Sequence, residues 1–309
     1  MPKPSLLRLK MPVAASNDAT APPVGSQCLQ WRAAPQTLPT LRLTRRGLLA
    51  FVGLGVAFQP AWLPAVCVGN EPRQWPNELQ VGRFTIHADF DVSTSADLPL
   101  ELSRLTTDVS SVLGIEASQK PVHVVLFASA SEYRRYMRNY FPQLPERRAM
   151  FIQDRGPGML FAHWHADIAS DLRHEITHAL LNDSPRPLPL WLDEGLAKYF
   201  EAERRRRFDG HVYLQEVAQR ATRGLVPSLQ LLETVDDLSE FQETHYRDGW
   251  AWSHFLIHRS VATRELLNRA LAQHRSGTDP LPLSRQLDLM SSDISGEFSA
   301  HFRALRAYN

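Results

Sequence analysis

Hydrophobic and polar residues alternate along residues 83–90, and this pattern predicts a β-strand. An almost continuous apolar run at residues 122–127 predicts a second strand, of the kind that is buried on both faces. Between the two, residues 97–113 repeat apolar side chains at spacings of three and four, which predicts one apolar face of a helix. That face consists of Leu98, Leu102, Leu105, Val109 and Val112.

The segment that follows predicts one more helix and two short strands. Ser129 and Glu132 have the spacing of a capping box, so we expect a helix from there to about Asn139. Residues 149–153 and 159–164 are expected to be strands on either side of a Gly-Pro-Gly turn. Residues 75–165 are therefore predicted to form a small α+β unit.

From Asp167 onward the pattern is helical. Asp167 can cap a helix that ends near Asn182, and a second helix is expected to begin after the prolines that follow. Apolar residues recur on the first helix at steps of four, at Ile168, Leu172, Ile176 and Leu180. Further helices are expected around residues 251–258, 263–274 and 294–306. The predicted fold class is α+β, with a small mixed-sheet lobe at residues 70–165 and a mainly helical lobe at residues 166–309.

Composition and charge narrow the range of functions. The chain has 309 residues, of which 43% are hydrophobic and 22% charged, as expected for a globular protein. Residues 1–65 contain seven Lys or Arg and one Asp, so the remaining residues carry a net charge of −5. A nucleic-acid binder is expected to concentrate positive charge in its folded part, and we therefore exclude nucleic acid as a partner.

Residues 1–69 are predicted to be a leader. Arg45 and Arg46 precede an apolar segment at residues 47–58 that is too short for a comfortable membrane span. The segment around these arginines is similar to a twin-arginine export signal, although an ordinary secretory signal, an uncleaved anchor and an internal apolar helix stay open. With only Cys28 and Cys67 in the chain, a processed protein has no internal disulfide. We expect export, with membrane contact only through an uncleaved leader.

The sequence HEITH at residues 174–178 is the candidate chemical motif. Two histidines four positions apart on a helix lie one turn apart on the same side, so His174 and His178 can reach one metal ion. Glu175 lies about 100° further round the helix, where it can contact a water on that ion. The alternative is that the histidines belong to an ordinary helix face.

The second helix offers a third ligand. Asp193 and Glu194 lie near its start, and an antiparallel pair of helices would bring this end beside His178. A catalytic zinc site has three protein ligands and keeps a fourth position for water. Glu194 points away from the apolar stripe of its helix, and it fits only if the helix is buried on both sides, whereas Asp193 lies nearer that stripe.

The sequences HEITH at 174–178 and WLDEGLA at 191–197 together resemble the gluzincin metallopeptidases, and in particular the peptidase MA-like domains. The resemblance implies one zinc ion per chain, held by His174, His178 and Glu194, with Glu175 as the general base. It also implies that the metal lies in the cleft between the two lobes. Lys198 occupies a position where thermolysin-like enzymes have an acid that supports the metal ligands, so the supporting residues are not predicted.

Other residues are assigned by the same resemblance or left with two interpretations. Tyr246 is expected to donate to the substrate carbonyl, with His245 as the competing donor and packing at a helix start as the alternative.

Residues 159–164 correspond to the edge strand that pairs with peptide in gluzincins. His163 and His165 are either a second metal pair or surface histidines. The four arginines at 204–207 either bind an acidic partner or form a solvated helix end.

These observations predict an exported zinc metallopeptidase that acts on a peptide or protein. The alternative is an inactive gluzincin-like zinc module that binds peptide or cell-wall material without cleaving it. Substrate preference and oligomeric state are not predicted.

Overall fold

The computed structural model describes residues 75–92, 97–116, 120–153, 156–182 and 186–306; the predicted leader lies outside these residues. The described strands are β1 (Asn77–Val81), β2 (Phe84–Ala88), β3 (Val122–Phe127), β4 (Ala149–Ile152) and β5 (Gly158–His163). The helices are α1 (Asp97–Leu113), α2 (Ala130–Tyr140), α3 (Ile168–Leu181), α4 (Leu190–Glu201), α5 (Leu214–Thr222), α6 (Leu229–Leu232), α7 (Glu243–His258), α8 (Val261–Arg275), α9 (Leu283–Met290) and α10 (Ile294–Arg306). The fold class is α+β, as predicted.

The strands form one mixed sheet in the order β1-β2-β3-β5-β4. β2, β3 and β5 are parallel, while β1 and β4 are antiparallel to their neighbours. β5 is therefore an interior strand and β4 is the edge strand, so the predicted role of residues 159–164 as the edge is wrong. The physical reason is that β4 and β5 form a hairpin, in which β4 pairs with the outer side of β5.

The two faces of the sheet pack against different helices. One face carries Ile86, Val124 and Leu126 and contributes to the main core with α1 and α3. The other face carries Val125 and Phe127 and packs against α2 in a smaller core. The predicted bounds of α1 and β3 are confirmed, whereas β1 was not predicted.

α4 lies at the centre of the helical half. Every residue from Trp191 to Glu201 is buried, because α4 packs against α3 on one side and α7 on the other. α4 and α7 approach so closely that a Cβ built on Gly195 would overlap the carbonyl oxygen of Gly249. Glu194 can point into a site only if its helix is buried on both sides, and α4 meets this condition.

Among the described residues, no helix combines the length and apolar character needed to cross a membrane.

Candidate metal centre

α3 presents both histidines of the HEITH sequence to α4. Its apolar stripe is confirmed, with Leu172 and Ile176 buried in the main core. His174, Glu175 and His178 are fully buried as well, so the helix has no solvated face at this position. The two histidines therefore do not lie on a solvated helix face, while the alternative that they form an ordinary buried pair without a metal stays an interpretation.

Contacts at both ends show that α3 and α4 run antiparallel. At one end, the Arg173 Nε donates to the backbone oxygen of Glu201 over 2.7 Å. At the other, the Asn182 Nδ2 donates to Asp193 Oδ1 over 3.2 Å. This arrangement brings the first turn of α4 beside the last turns of α3, as the sequence predicts.

Three side chains meet where the helices face each other. The Nε2 atoms of His174 and His178 are 3.1 Å apart. The Oε2 atom of Glu194 is 3.5 Å from the first and 3.7 Å from the second. Among the described residues, this is the one group of three or more potential ligands whose ligand atoms come together closely enough to hold a metal ion.

The protonation of the two imidazoles indicates what this group can bind. The Nδ1 of His174 is 3.3 Å from Glu201 Oε2, and the Nδ1 of His178 is 3.2 Å from Asp193 Oδ1. Neither approach has the geometry of a hydrogen bond, and both Nδ1 atoms are buried without a hydrogen-bond partner among the described residues. A carboxylate this close to Nδ1 still favours a proton on Nδ1, which leaves a lone pair on each Nε2. The two Nε2 atoms are 3.1 Å apart, so either a proton shared in an N–H···N hydrogen bond or a metal ion can lie between them.

The separations also agree with a tetrahedral metal site. Nitrogen and oxygen ligands bound to zinc at about 2.0–2.1 Å lie about 3.3 Å from one another. The observed separations of 3.1, 3.5 and 3.7 Å bracket this value. His174, His178 and Glu194 therefore fit a metal ion.

The two adjacent acids of α4 have different positions. Glu194 faces both Nε2 atoms, whereas Asp193 faces the Nδ1 of His178 and accepts from Asn182. Asp193 therefore orients a histidine from behind. A carboxylate in that position holds the ring and increases its basicity as a ligand.

Glu201 provides the corresponding support for His174, and the sequence reasoning did not find it. Its Oε2 lies 3.3 Å from the Nδ1 of His174 and accepts from the buried Lys198 Nζ over 2.5 Å. Lys198, which stands where thermolysin-like enzymes have an acid, thus binds an acid located three residues later. The signal was present in the sequence, since Glu201 lies two helical turns after Glu194 and on the same side.

Glu175 lies on the β4 side of α3. Its Oε2 accepts a hydrogen bond from the Phe151 backbone N–H over 2.7 Å, and no described residue bonds its Oε1. Burial raises the pKa of Glu175, and this effect exceeds the lowering by His174, His178 and the Phe151 N–H. One oxygen is therefore held by the edge strand, while the other can accept a proton.

His174 is a strong base when no metal is bound. Burial alone would lower its pKa, but the contacts with Glu194 and Glu201 outweigh that effect and raise the pKa to about 9. A proton therefore competes with a metal for this nitrogen, and metal affinity should fall as the pH falls.

Tyr246 lies in α7, which begins earlier than predicted, at Glu243. The Lys198 Nζ is 5.7 Å from the centre of the Tyr246 ring, so this side chain lies one contact from Glu201. The role of Tyr246 as a donor to substrate stays a prediction. The competing donor, His245, accepts from the Gln242 backbone N–H at the start of α7 and so has a capping role.

A cavity of about 650 Å³ lies beside the candidate metal centre, between the sheet and the helical half. Its wall includes Tyr133 from α2, Arg147 before β4, Arg173 from α3 and Glu201 from α4. Glu201 also approaches the Nδ1 of His174, so one side chain separates the cavity from the side of this ring that faces away from the three potential ligand atoms.

Three smaller expectations are corrected or refined. Asp167 precedes α3, but its side chain makes no capping hydrogen bond, because its backbone is not extended. His163 lines the cavity and His165 binds Asp171 over 3.1 Å, so neither joins a second group of metal ligands among the described residues. α4 ends at Glu201, and Arg207 is buried against Asp108 over 2.7 Å, so this arginine does not belong to a solvated helix end.

Comparison of the chain with protein-family models and with curated protein sequences returns no match.

Proposed function

We propose that this chain is an exported zinc-dependent hydrolase that cleaves peptide bonds. The observation that carries the proposal is that two histidine Nε2 atoms of α3 and one glutamate oxygen of α4 meet at 3.1–3.7 Å, with Glu175 next to His174 in α3. Three nitrogen and oxygen ligands with a carboxylate beside them are the protein contribution to a catalytic zinc site. Export is inferred from Arg45, Arg46 and the apolar segment after them.

His174, His178 and Glu194 would hold the zinc, with Glu201 and Asp193 fixing the two imidazoles. Bound zinc supplies Lewis acidity, which lowers the pKa of water to about 7 and polarises a carbonyl group. Glu175 Oε1, which no described residue bonds, takes the proton of the attacking water. The hydrogen bond from the Phe151 N–H keeps the carboxylate in place during this transfer.

One observation favours the second candidate, a zinc module that binds peptide without cleaving it. His174, Glu175, His178 and Glu194 have no exposed surface, so substrate reaches them only if side chains beside the cavity move. Metal content alone is expected for both candidates. Activity of a general-base variant separates them.

The test compares the zinc-loaded wild type with Glu175→Gln. We expect about one zinc per chain in both, by plasma emission. Cleavage of a mixed peptide library should fall at least about 10²-fold in the variant, because an amide cannot accept the proton. The matched control is Glu240→Gln, at an exposed position, and it should behave as wild type.

Two results would contradict the hydrolase proposal. The first is a chain that retains no zinc even after reconstitution. The second is undiminished cleavage by Glu175→Gln, which would assign the activity to another group or to a contaminant. Zinc binding without cleavage by any form would favour the binding module.

A further inference from the structure

Arginine side chains from distant parts of the chain line the cavity of about 650 Å³. They come from α2, the segment before β4, α3 and the helical turn at Arg204–Arg206, so only the fold brings them together. Residues 66–309 as a whole carry a net charge of −5, which makes this concentration of positive side chains unexpected. The five are Arg134, Arg147, Arg148, Arg173 and Arg206.

The four acidic side chains of the same wall are each close to a cationic nitrogen. The pairs are Glu146–Arg134, Asp167–Arg148, Glu201–Lys198 and Glu203–Arg205, at 3.5, 3.7, 2.5 and 2.9 Å. Two of these cations, Lys198 and Arg205, are not part of the wall. The acids of the wall are therefore neutralised, in part by cations from outside it.

Two of the five arginines keep most of their hydrogen-bond donors available. The Arg134 guanidinium forms no hydrogen bond with a described residue and approaches Glu146 only at 3.5 Å. The Arg206 guanidinium donates to one backbone oxygen, that of Gly210, over 3.2 Å. Since a guanidinium group has five N–H donors in a planar fork, each of the two can still bind a carboxylate through two parallel hydrogen bonds.

The cavity suits an organic ligand better than a single small anion. Its volume lies in the range of pockets that enclose organic molecules. Its wall also includes the apolar side chains of Ala202 and Val212, and Val212 is exposed. Arg134 and Arg206 are exposed as well, so a ligand from solvent reaches both without a rearrangement.

We propose that this cavity binds an acidic peptide, whose side-chain carboxylates bind Arg134 and Arg206. Among the arginines at 204–207, Arg206 is the one that lines the cavity. His174, His178 and Glu194 are not part of the described wall, so binding requires neither zinc nor cleavage. The inference therefore goes beyond the proposed function.

The test compares two cavity variants of the full chain, with zinc supplied, with a neighbour of each. Arg134→Gln and Arg206→Gln remove an arginine of the wall. Arg135→Gln and Arg205→Gln are the matched controls, because they remove the same charge from the adjacent, exposed position outside the wall.

The probe is the peptide acetyl-Ala-Glu-Glu-Ala-amide with a neutral coumarin label, and its counterpart with Gln in place of Glu is the control peptide. Both termini are blocked, so the two peptides differ only in side-chain carboxylates. Fluorescence anisotropy, read immediately after mixing at physiological ionic strength, gives the Kd of each protein for each peptide.

We expect wild type to bind the acidic peptide at least about tenfold more tightly than the Gln peptide, because charge-assisted hydrogen bonds are lost with the carboxylates. Arg134→Gln and Arg206→Gln should each weaken binding of the acidic peptide about tenfold. Their neighbours should stay within about twofold of wild type, since exposed charges more than about 8 Å away are screened. All four side chains are exposed, so Tm should not change.

A loss of affinity in either cavity variant that its neighbour does not share would support the site. Equal affinity of wild type for the two peptides would overturn the proposal, and so would cavity variants that lose no more affinity than their neighbours. The latter result is also what coordination of the peptide by zinc would give.

Two further measurements separate this site from its alternatives. Inorganic phosphate is titrated by calorimetry, and binding of phosphate without a preference for the acidic peptide would overturn the peptide as ligand in favour of a small anion. Mass spectrometry of the peptides after prolonged incubation records cleavage. Absence of cleavage would contradict only the hydrolase, because the affinities alone decide the present proposal.

Discussion

The adjacent acids Asp193 and Glu194 differ in what they contact, and this difference has measurable consequences. Glu194 Oε2 lies 3.5 and 3.7 Å from the two histidine Nε2 atoms, while Asp193 Oδ1 lies 3.2 Å from the Nδ1 of His178. The first geometry is that of a metal ligand. The second is that of a carboxylate that orients a ligand.

Conservative substitutions of these two acids should therefore weaken zinc binding to different degrees. We expect Glu194→Gln to abolish stable zinc binding, because two histidines alone do not complete the site. Asp193→Asn should retain one zinc with about 10- to 100-fold lower affinity, since only the orientation of His178 is disturbed. Competition with a zinc chelator measures both. Loss of zinc in Asp193→Asn, with normal affinity in Glu194→Gln, would exchange the two roles.

For single residues, the sequence predicted relative positions best where the residues lie on one helix, because the helical repeat fixes their spacing. The positions of His174, Glu175 and His178 follow from the helical repeat, and the structure places the two histidines as predicted. Glu201 was missed because its contact with His174 joins residues 27 positions apart in different helices. Its helical spacing from Glu194 places it on the same side of α4, but this spacing alone does not show which residue of another helix it contacts.

Among the elements, the crossing of α4 and α7 determines where Glu194 lies. The two backbones meet at Gly195 and Gly249, and a Cβ on Gly249 would come within 2.9 Å of the Trp191 carbonyl oxygen. Such a distance is shorter than a normal contact, so only glycine allows the helices to pack at this separation. Gly195 is the neighbour of Glu194, and any displacement of α4 moves the ligand.

We expect Gly195→Ala to destabilise the protein by about 3 kcal/mol or more, because the added methyl group meets rigid backbone on the facing helix. Zinc affinity should fall at the same time, since α4 must move away from α7. The control is Gly224→Ala, where φ is +71° and the space around the position is open. It should cost about 1 kcal/mol from backbone strain alone and leave zinc binding intact.

Urea unfolding and chelator competition measure the two effects. Equal, small losses of stability in Gly195→Ala and Gly224→Ala would show that the helices are not packed as tightly as described.

Predictions of single elements succeeded where one apolar face or run was long, as in α1, β3 and α3. β1 was missed because its sequence, NELQV, has no strong apolar pattern, and it becomes a strand only by pairing with β2 through the tight turn at Gly82. The edge position of β4 was missed for a related reason. Strand order depends on which strands pair, and burial patterns within a strand do not reveal its neighbours.

At the scale of the whole molecule, the free energy of unfolding should depend on pH. The histidines responsible lie where α7, α10 and the segment after α4 meet. His254 is fully buried; its Nδ1 is 3.0 Å from His301 Nε2, and its Nε2 is 2.9 Å from the Phe208 carbonyl oxygen. His258 lies one turn along α7, and its Nε2 is 2.8 Å from the Tyr199 hydroxyl. His254 is buried, while His258 and His301 are partly buried beside it.

Burial, followed by the neighbouring cations and histidines, lowers the pKa of His258 and of His301 to about 4 and that of His254 well below its usual range. The positive neighbours include Arg264 beside His258 and Arg259 beside His301. Because each folded-state pKa lies below the ordinary value of 6.5, the unfolded chain binds more protons between about pH 4 and 6.5. The stability that these histidines contribute is present above pH 6.5 and is lost as the pH falls toward 4.

We therefore expect the free energy of unfolding to fall between pH 7 and pH 5, by on the order of 1 kcal/mol for each such histidine. Urea unfolding in the presence of a chelator measures this without a contribution from zinc release. His301→Gln removes one of the titrating rings and leaves a side chain that can still reach His254, so its loss of stability over the same pH interval should be smaller than that of wild type. An identical pH dependence in the two proteins would mean that acid destabilises the molecule at another place, and a steeper one would mean that His301 is charged in the folded state.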